Sequence, residues 1–260
     1  MRSLFALLIT LLGVQFVFAQ YYGAIKVDQP GLSNNYQTVR KYRLQIESKL
    51  SYQQDSKFPD QPNLERKRFQ FANTLIRFGL SKKLELRLGS GFLYQRDKNL
   101  GMKSSVATIQ GISLGSKWHF LEHKHGLLPN ASLLVQADLP VGSETVVSKY
   151  VEPGIALLAS HPLSEAANLN YNVAISYRDQ NFLQYFYALS LHVEFSPQTS
   201  VFIEVTDKHQ VNKRAEMYFD GGLNLLIKRN TIAYIYGGKG LNTQAADWFV
   251  AFGMGVRLPR

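Results

Sequence analysis

Cysteine is missing from all 260 residues, so neither a disulfide framework nor a thiolate metal site is available. Beyond the N-terminal stretch there is no apolar run of the roughly 20 residues that a spanning helix needs. Acids are scarce beside bases, 19 Asp and Glu against 29 Lys and Arg, for a formal charge of +10. That surplus does not build a nucleic-acid face, because it is scattered through turns and loops at Lys57, Arg66 to Arg68, Lys82, Lys83, Lys98, Lys103, Lys213, Arg214, Lys228 and Arg229. Dispersed rims of this kind suit anionic lipid head groups better than a nucleic acid.

What is present begins with MRSLFALLITLLGVQFVFA, which has one basic residue, Arg2, an apolar run from Leu4 to Phe18, and Val17 and Ala19 where cleavage favours small residues. It reads as a secretory signal removed after Ala19. Residues 20–41 are polar and contain the turn-like Asp28-Gln29-Pro30-Gly31, so they read as irregular. Residues 42–260 carry no composition break and read as one all-β domain.

The pattern of that domain is clearest from Thr74 to Tyr94. Ile76, Phe78 and Leu80 share one face, and after the turn at Ser81 to Lys83 so do Leu84, Leu86, Leu88 and Phe92. Arg77, Glu85 and Arg87 take the other face. Similar alternation predicts further strands at 42–52, 107–120, 128–138, 150–160, 168–177, 182–195, 200–206, 216–227, 231–238 and 247–258, about twelve in all. Residues 53–67 and 96–106 read as long loops, and 139–149 as a third, alternating with short turns at 81–83, 121–127 and 161–167. The four residues Arg178 to Asn181 break that alternation. An even strand count, strands of about 10 to 14 residues where a tilted spanning strand needs about 9 to 11, and aromatic residues at strand ends together favour a transmembrane antiparallel up-and-down barrel over a soluble sandwich.

Parity then assigns a face to every strand residue. The lumen receives Glu47, Lys49, Arg77, Glu85, Arg87, Lys117, Gln136, Asp138, Arg178, Gln184, His192, Glu194, Glu204, Asp220, Asn224 and Arg257, with His119 and Glu152 among them. The two signs nearly balance, so the interior is no simple anion filter. A barrel of this size either lines a water path with such residues or pairs them across a closed interior, because eight strands are filled by side chains and sixteen leave a channel.

Two strings match enzyme motifs. Gly111-Ile112-Ser113-Leu114-Gly115 has the nucleophile-elbow spacing but falls within one alternating strand, where small residues line an interior. His119-Phe120-Leu121-Glu122-His123 matches an inverted zinc-protease string, yet its two histidines meet only on a helix, and here a strand runs off into a turn. No catalytic residue, metal site or cofactor is expected. The expected partners are outer-membrane lipid, lipopolysaccharide and a small-molecule solute.

The sequence also resembles the outer-membrane β-barrel family named for the meta pathway of phenol degradation, often described as transporter-like. The likeness runs through Val27-Asp28-Gln29-Pro30-Gly31, Leu44-Gln45-Ile46-Glu47, Leu75-Ile76-Arg77-Phe78-Gly79-Leu80 leading into Leu84-Glu85-Leu86-Arg87, Phe219-Asp220-Gly221-Gly222-Leu223 and Trp248-Phe249-Val250-Ala251-Phe252-Gly253. It implies a barrel in the outer membrane of a diderm bacterium that passes small, aromatic or hydrophobic solutes; the alternative is a structural or surface-binding barrel with a closed interior. One departure is the ending Leu258-Pro259-Arg260, where such barrels usually finish on an aromatic residue.

Overall fold

A computed structural model describes residues 24–28, 31–56, 58, 61–124, 126–178, 182–211 and 214–258. The expected signal over 1–19 and the ending at Pro259 and Arg260 lie outside these residues, as do the three residues between Arg178 and Phe182. Among the described residues there is no helix.

Twelve antiparallel strands close into a barrel: β1 Leu44–Asp55, β2 Leu64–Gly79, β3 Leu84–Asn99, β4 Met102–Leu121, β5 Asn130–Gly142, β6 Glu152–Pro162, β7 Ala167–Arg178, β8 Phe182–Glu194, β9 Thr199–Gln210, β10 Glu216–Lys228, β11 Thr231–Gly240 and β12 Trp248–Leu258. Each strand pairs with its sequence neighbours, and β1 meets β12 from Leu44 opposite Leu258 to Gln54 opposite Trp248. Closure leaves no unpaired edge, which a lipid environment would penalise. Leu86, Leu88, Leu114, Val135, Leu189, Ile203, Leu225 and Phe252 are each exposed by two-fifths or more. An apolar surface that wraps the whole barrel belongs in lipid.

β1 runs to Asp55 and β2 takes up 64–67, trimming the loop expected over 53–67 at both ends, and the loop expected over 96–106 is strand apart from its turn. β2 begins at Leu64, and β3 and β4 are joined by Leu100 and Gly101 alone, with φ of 49° and 85°. Positive φ at both central residues is the geometry of a type I′ hairpin turn, whose twist matches its strands. Charged residues made these segments look like loops, whereas Arg66, Arg68, Gln95 and Asp97 alternate as inward positions above the lipid band. The ninth strand also runs on to Gln210, past the expected Thr206. With those changes the long and short connections alternate far less regularly than the sequence implied.

A belt of bulges crosses four adjacent strands, at Lys49/Ser51, Phe71/Thr74, Ser90/Phe92 and Gln110/Ile112. Bulges free backbone groups that lipid cannot satisfy. Hydroxyls on the outer face supply the missing bonds: Thr74 Oγ1 donates to Ala72 O at 3.0 Å and Ser90 Oγ to Gly111 O at 3.0 Å. This accounts for polar residues in an otherwise apolar wall.

Candidate functional site

The interior is occupied by the segment that precedes β1. Residues 24–43 lack alternation and hold only scattered apolar side chains, so they cannot extend the sheet, and their backbone groups need partners from the lumen wall. The chain enters at the end that carries both barrel termini and turns at Gly31. It leaves across the end of β2, where Tyr42 N–H donates to Gly79 O at 2.7 Å. A Cβ on Gly79 would stand 2.2 Å from Arg40 O, so only glycine allows that crossing.

The flank facing β1 to β4 is held by charge. Arg77 takes Glu85 with two parallel bonds, Nε to Oε1 at 3.0 Å and Nη2 to Oε2 at 2.9 Å, and reaches Glu47 Oε1 at 2.9 Å and Gln37 O at 2.7 Å. Asp28 is paired with Arg87 at 2.7 Å and with Lys117, whose ammonium also donates to Asn35 O at 2.7 Å. The segment answers with its own N–H groups, Asp28 to Glu47 Oε2 at 2.8 Å and Val39 to Glu85 Oε2 at 2.7 Å. Three carboxylates thus face three cations, all six deeply buried. Burial alone would raise the Asp28 carboxyl, but Arg87, Lys117 and Arg77 outweigh it and hold the acid well below the usual carboxylate range.

The opposite side of the segment packs on β9 to β12, where Ile25 and Val27 are buried among Phe202, Ile232, Tyr234, Tyr236, Phe249 and Ala251. Tyr36 adds a contact with Leu134, Ala156 and Leu158. At the tip, Leu32 and Ser33 N–H groups donate to Glu204 Oε1 at 2.7 and 3.1 Å, and a Cβ on Gly31 would lie 2.8 Å from the Phe202 ring.

The expected lumen residues therefore separate into groups. Glu47, Arg77, Glu85, Arg87 and Lys117 meet in one cluster. Glu204 stands directly opposite Asp220 across β9 and β10. Arg178 bridges Asp138 at 3.0 Å and Glu152 at the far end, where Gln136 Nε2 reaches Asp138 at 3.5 Å. Gln184 accepts from Gln210 at 3.3 Å, and Lys49 Nζ donates to Tyr236 OH at 3.3 Å. Glu194 pairs with Lys26 of the segment, Arg257 donates to Ala24 O at 3.5 Å, and His192 stacks on Phe202 with centroids 5.1 Å apart. Asn224 Nδ2 donates to Ser200 Oγ at 3.2 Å.

Sequence reasoning missed Asp28, taken for a turn residue, and the ion pairs Arg66–Asp97 and Arg68–Asp55 of the distal mouth, at 2.8 and 3.2 Å. The distal pairs were findable from the alternation of 64–71 and 92–99. Asp28 had no such signal, since its cationic partners come from β2, β3 and β4.

Between the segment and the wall of β6 to β10 a cavity of about 880 Å³ opens at the terminal end. Its wall includes Ser160, Asn168, Asn170, Ser190, His192 and Asn224, and its inner side includes Asn34, Asn35 and Gln37. The motif residues do not form a reaction centre. Ser113 lies mid-strand, paired with Gly89. His119 Nδ1 sits 3.1 Å from Ser132 Oγ, and His123 Nδ1 2.6 Å from Leu128 O. His125 is outside the described residues, among which no three metal-binding side chains gather.

Solved structures repeat this architecture. The COG4313 outer membrane channel from Pseudomonas putida F1 superposes with a TM-score of 0.65 at 8% identity, covering 86% of this chain and 98% of that one. The transport unit of the autotransporter AIDA-I from Escherichia coli gives 0.55 at 11% identity, covering 98% and 97%. The NanC porin gives 0.53 at 8%, covering 81% and 98%. Identities this low speak for the barrel fold alone. No curated relative matches the sequence. Family assignment comes from the sequence itself: with residues 27–258 matched, the chain belongs to the family described as "Putative MetA-pathway of phenol degradation".

Proposed function

We propose that the protein is an outer-membrane channel through which small solutes cross passively along the flank of β6 to β10, with residues 24–43 narrowing the bore. The carrying observation is the 880 Å³ cavity beside the inserted segment. A solid structural plug has no need of such a space. In this reading the end that bears the barrel termini faces the periplasm, residues 1–19 are removed on secretion, and Gln20 begins the mature chain. Arg77, Glu85 and Arg87 shape the passage by fixing the segment that restricts it. The likeness to a protein described as an outer membrane channel supports the reading.

The test is reconstitution of refolded protein in liposomes, with swelling measured in small organic solutes, phenol included, and conductance measured in potassium chloride. Flux above protein-free vesicles is the expected result. Background flux for every solute, with the barrel intact by circular dichroism, would leave the closed barrel standing instead. That second reading draws on the ion-pair cluster that pins the segment inside.

A further inference from the structure

We propose that the outer face of β2, β3 and β4 near the distal mouth docks a phosphorylated glycolipid of the outer leaflet, through the phosphate groups of lipopolysaccharide. The cations concerned are scattered in sequence, and strand pairing brings them together. Lys67 lies directly opposite Arg96, and Lys98 directly opposite Lys103. They continue the outward face of Phe69, Phe71, Phe92 and Tyr94, so all four point away from the lumen, and all are exposed. Neighbouring strands stand roughly 5 Å apart and alternate residues along a strand roughly 7 Å, so the four charges cover three strands and two successive rungs. Like charges directly opposite one another are unfavourable in a sheet. Among the described residues the acid on this face is Glu65, 3.8 Å from Lys98 with both side chains half exposed, a pair of small worth. Asp97 and Asp55, on the inner side of the rim, are taken by Arg66 and Arg68. The patch therefore keeps most of its charge for an anion from outside.

Position selects the occupant. Just below the cations the outer face is aromatic: Phe69 packs on Tyr52 with centroids 4.7 Å apart, Tyr52 on Trp248 at 5.1 Å, and Phe71 on Phe92 at 5.5 Å. Exposed rings at this level mark the polar boundary of the lipid, so the cations sit at head-group height, beside a molecule held in the membrane plane. The patch is also one-sided. Toward the same end, the face of Ile203 and Val205 continues along β9 with Asp207 and His209, which stand opposite Tyr187 and Tyr185 of β8. General attraction to an anionic surface would ring the barrel with cations, whereas a group on one side fits a discrete head group with more than one phosphate. Arg96 brings a forked donor suited to phosphate, the lysines add point charges, and Ser105 opposite Arg96 adds a hydroxyl. The choice of lipid rests on the orientation in the proposed function, in which the distal end faces outward; it takes nothing from the passage of solutes.

The test is native mass spectrometry of the full chain in detergent, titrated with diphosphoryl lipid A. The double variant Lys67→Gln, Arg96→Gln should bind about 30-fold more weakly, from two cations each contributing the roughly fivefold typical of a basic residue at an anionic membrane surface. Its thermal stability should not fall, because a like-charged pair is removed. Lys98→Gln, Lys103→Gln is a second variant with the same expectation. Lys82→Gln, Lys83→Gln, in the turn at the opposite end, removes equal charge and should leave binding unchanged. An equal loss in that control, equal affinity for phosphatidylglycerol, or undiminished binding of phosphate-free lipid A overturns the assignment. Since the chain has no cysteine, Leu100→Cys in the β3–β4 turn gives a single site for a membrane-impermeant maleimide on intact cells. Labelling supports the outward placement, and labelling only after permeabilisation overturns the outer-leaflet lipid. Background solute flux in liposomes would remove the channel reading alone.

Discussion

One flank of the lumen is filled and densely ion-paired; the other holds open space lined largely by amides and hydroxyls. On the β1 to β4 side, six deeply buried ionised groups satisfy one another and bond the Asp28 and Val39 N–H groups and the Asn35 and Gln37 carbonyls of the segment. On the β6 to β10 side, residues with amide and hydroxyl groups line a cavity beside the segment. The difference teaches that charge inside this barrel marks where the inserted segment is held. Buried ions are expensive unless closely paired, so they collect where a segment of chain supplies the missing partners. Uncharged polar groups tolerate water as well as protein neighbours, and so can line the cavity beside the segment.

The largest effect should come from the filled flank. Arg77→Ala strips two buried carboxylates of their shared partner, and about 3 to 5 kcal/mol of stability should be lost in denaturant unfolding from vesicles. A loss below about 1 kcal/mol would mean that the cluster does not hold the segment. Next come two substitutions on the lipid surface, Leu88→Arg outside the filled flank and Leu189→Arg outside the hollow one. Each should cost about 2 to 4 kcal/mol near the bilayer midplane, and the two should agree, because the outer face does not sense what the lumen contains. Unequal costs would break the claim that the asymmetry is internal.

A smaller effect belongs to Asp28. Since its folded carboxyl titrates below the unfolded one, the stability it adds is complete above the ordinary carboxylate range and is lost as pH falls through the lower, folded value. Protease cleavage within residues 24–43 should therefore rise only in strong acid. Asp28→Asn should flatten that acid response and cost about 1 to 3 kcal/mol at neutral pH, the range for a buried group left unpaired. The smallest effect is on the side of the cavity: Asn170→Ala should leave stability within about 0.5 kcal/mol, since among the described residues no side-chain hydrogen bond depends on it. If it destabilised as strongly as Arg77→Ala, the hollow flank would be structural as well.

Much of the barrel could be read in advance. Leu84 to Arg87 and Tyr185 to Glu194 lie in strands, and Arg77, Glu85 and Arg87 meet. Reading failed where charge imitated loop composition, in 64–67 and 96–106, because strands that rise above the lipid carry polar residues on both faces. It failed again for Ser160, Asn168, Asn170 and Ser190, whose types are too common to stand out until the cavity groups them.

The fold class and the strand number were determined by the sequence alone, because a period of two is local and each strand declares itself within a few neighbours. Only the tertiary structure decided that residues 24–43 fold back into the bore and which half they fill. Asp28 and Lys117 are 89 positions apart, and the remaining members of their cluster come from β1, β2 and β3. No local pattern in the segment encodes that meeting; barrel closure creates it by bringing four strands to face the same few residues.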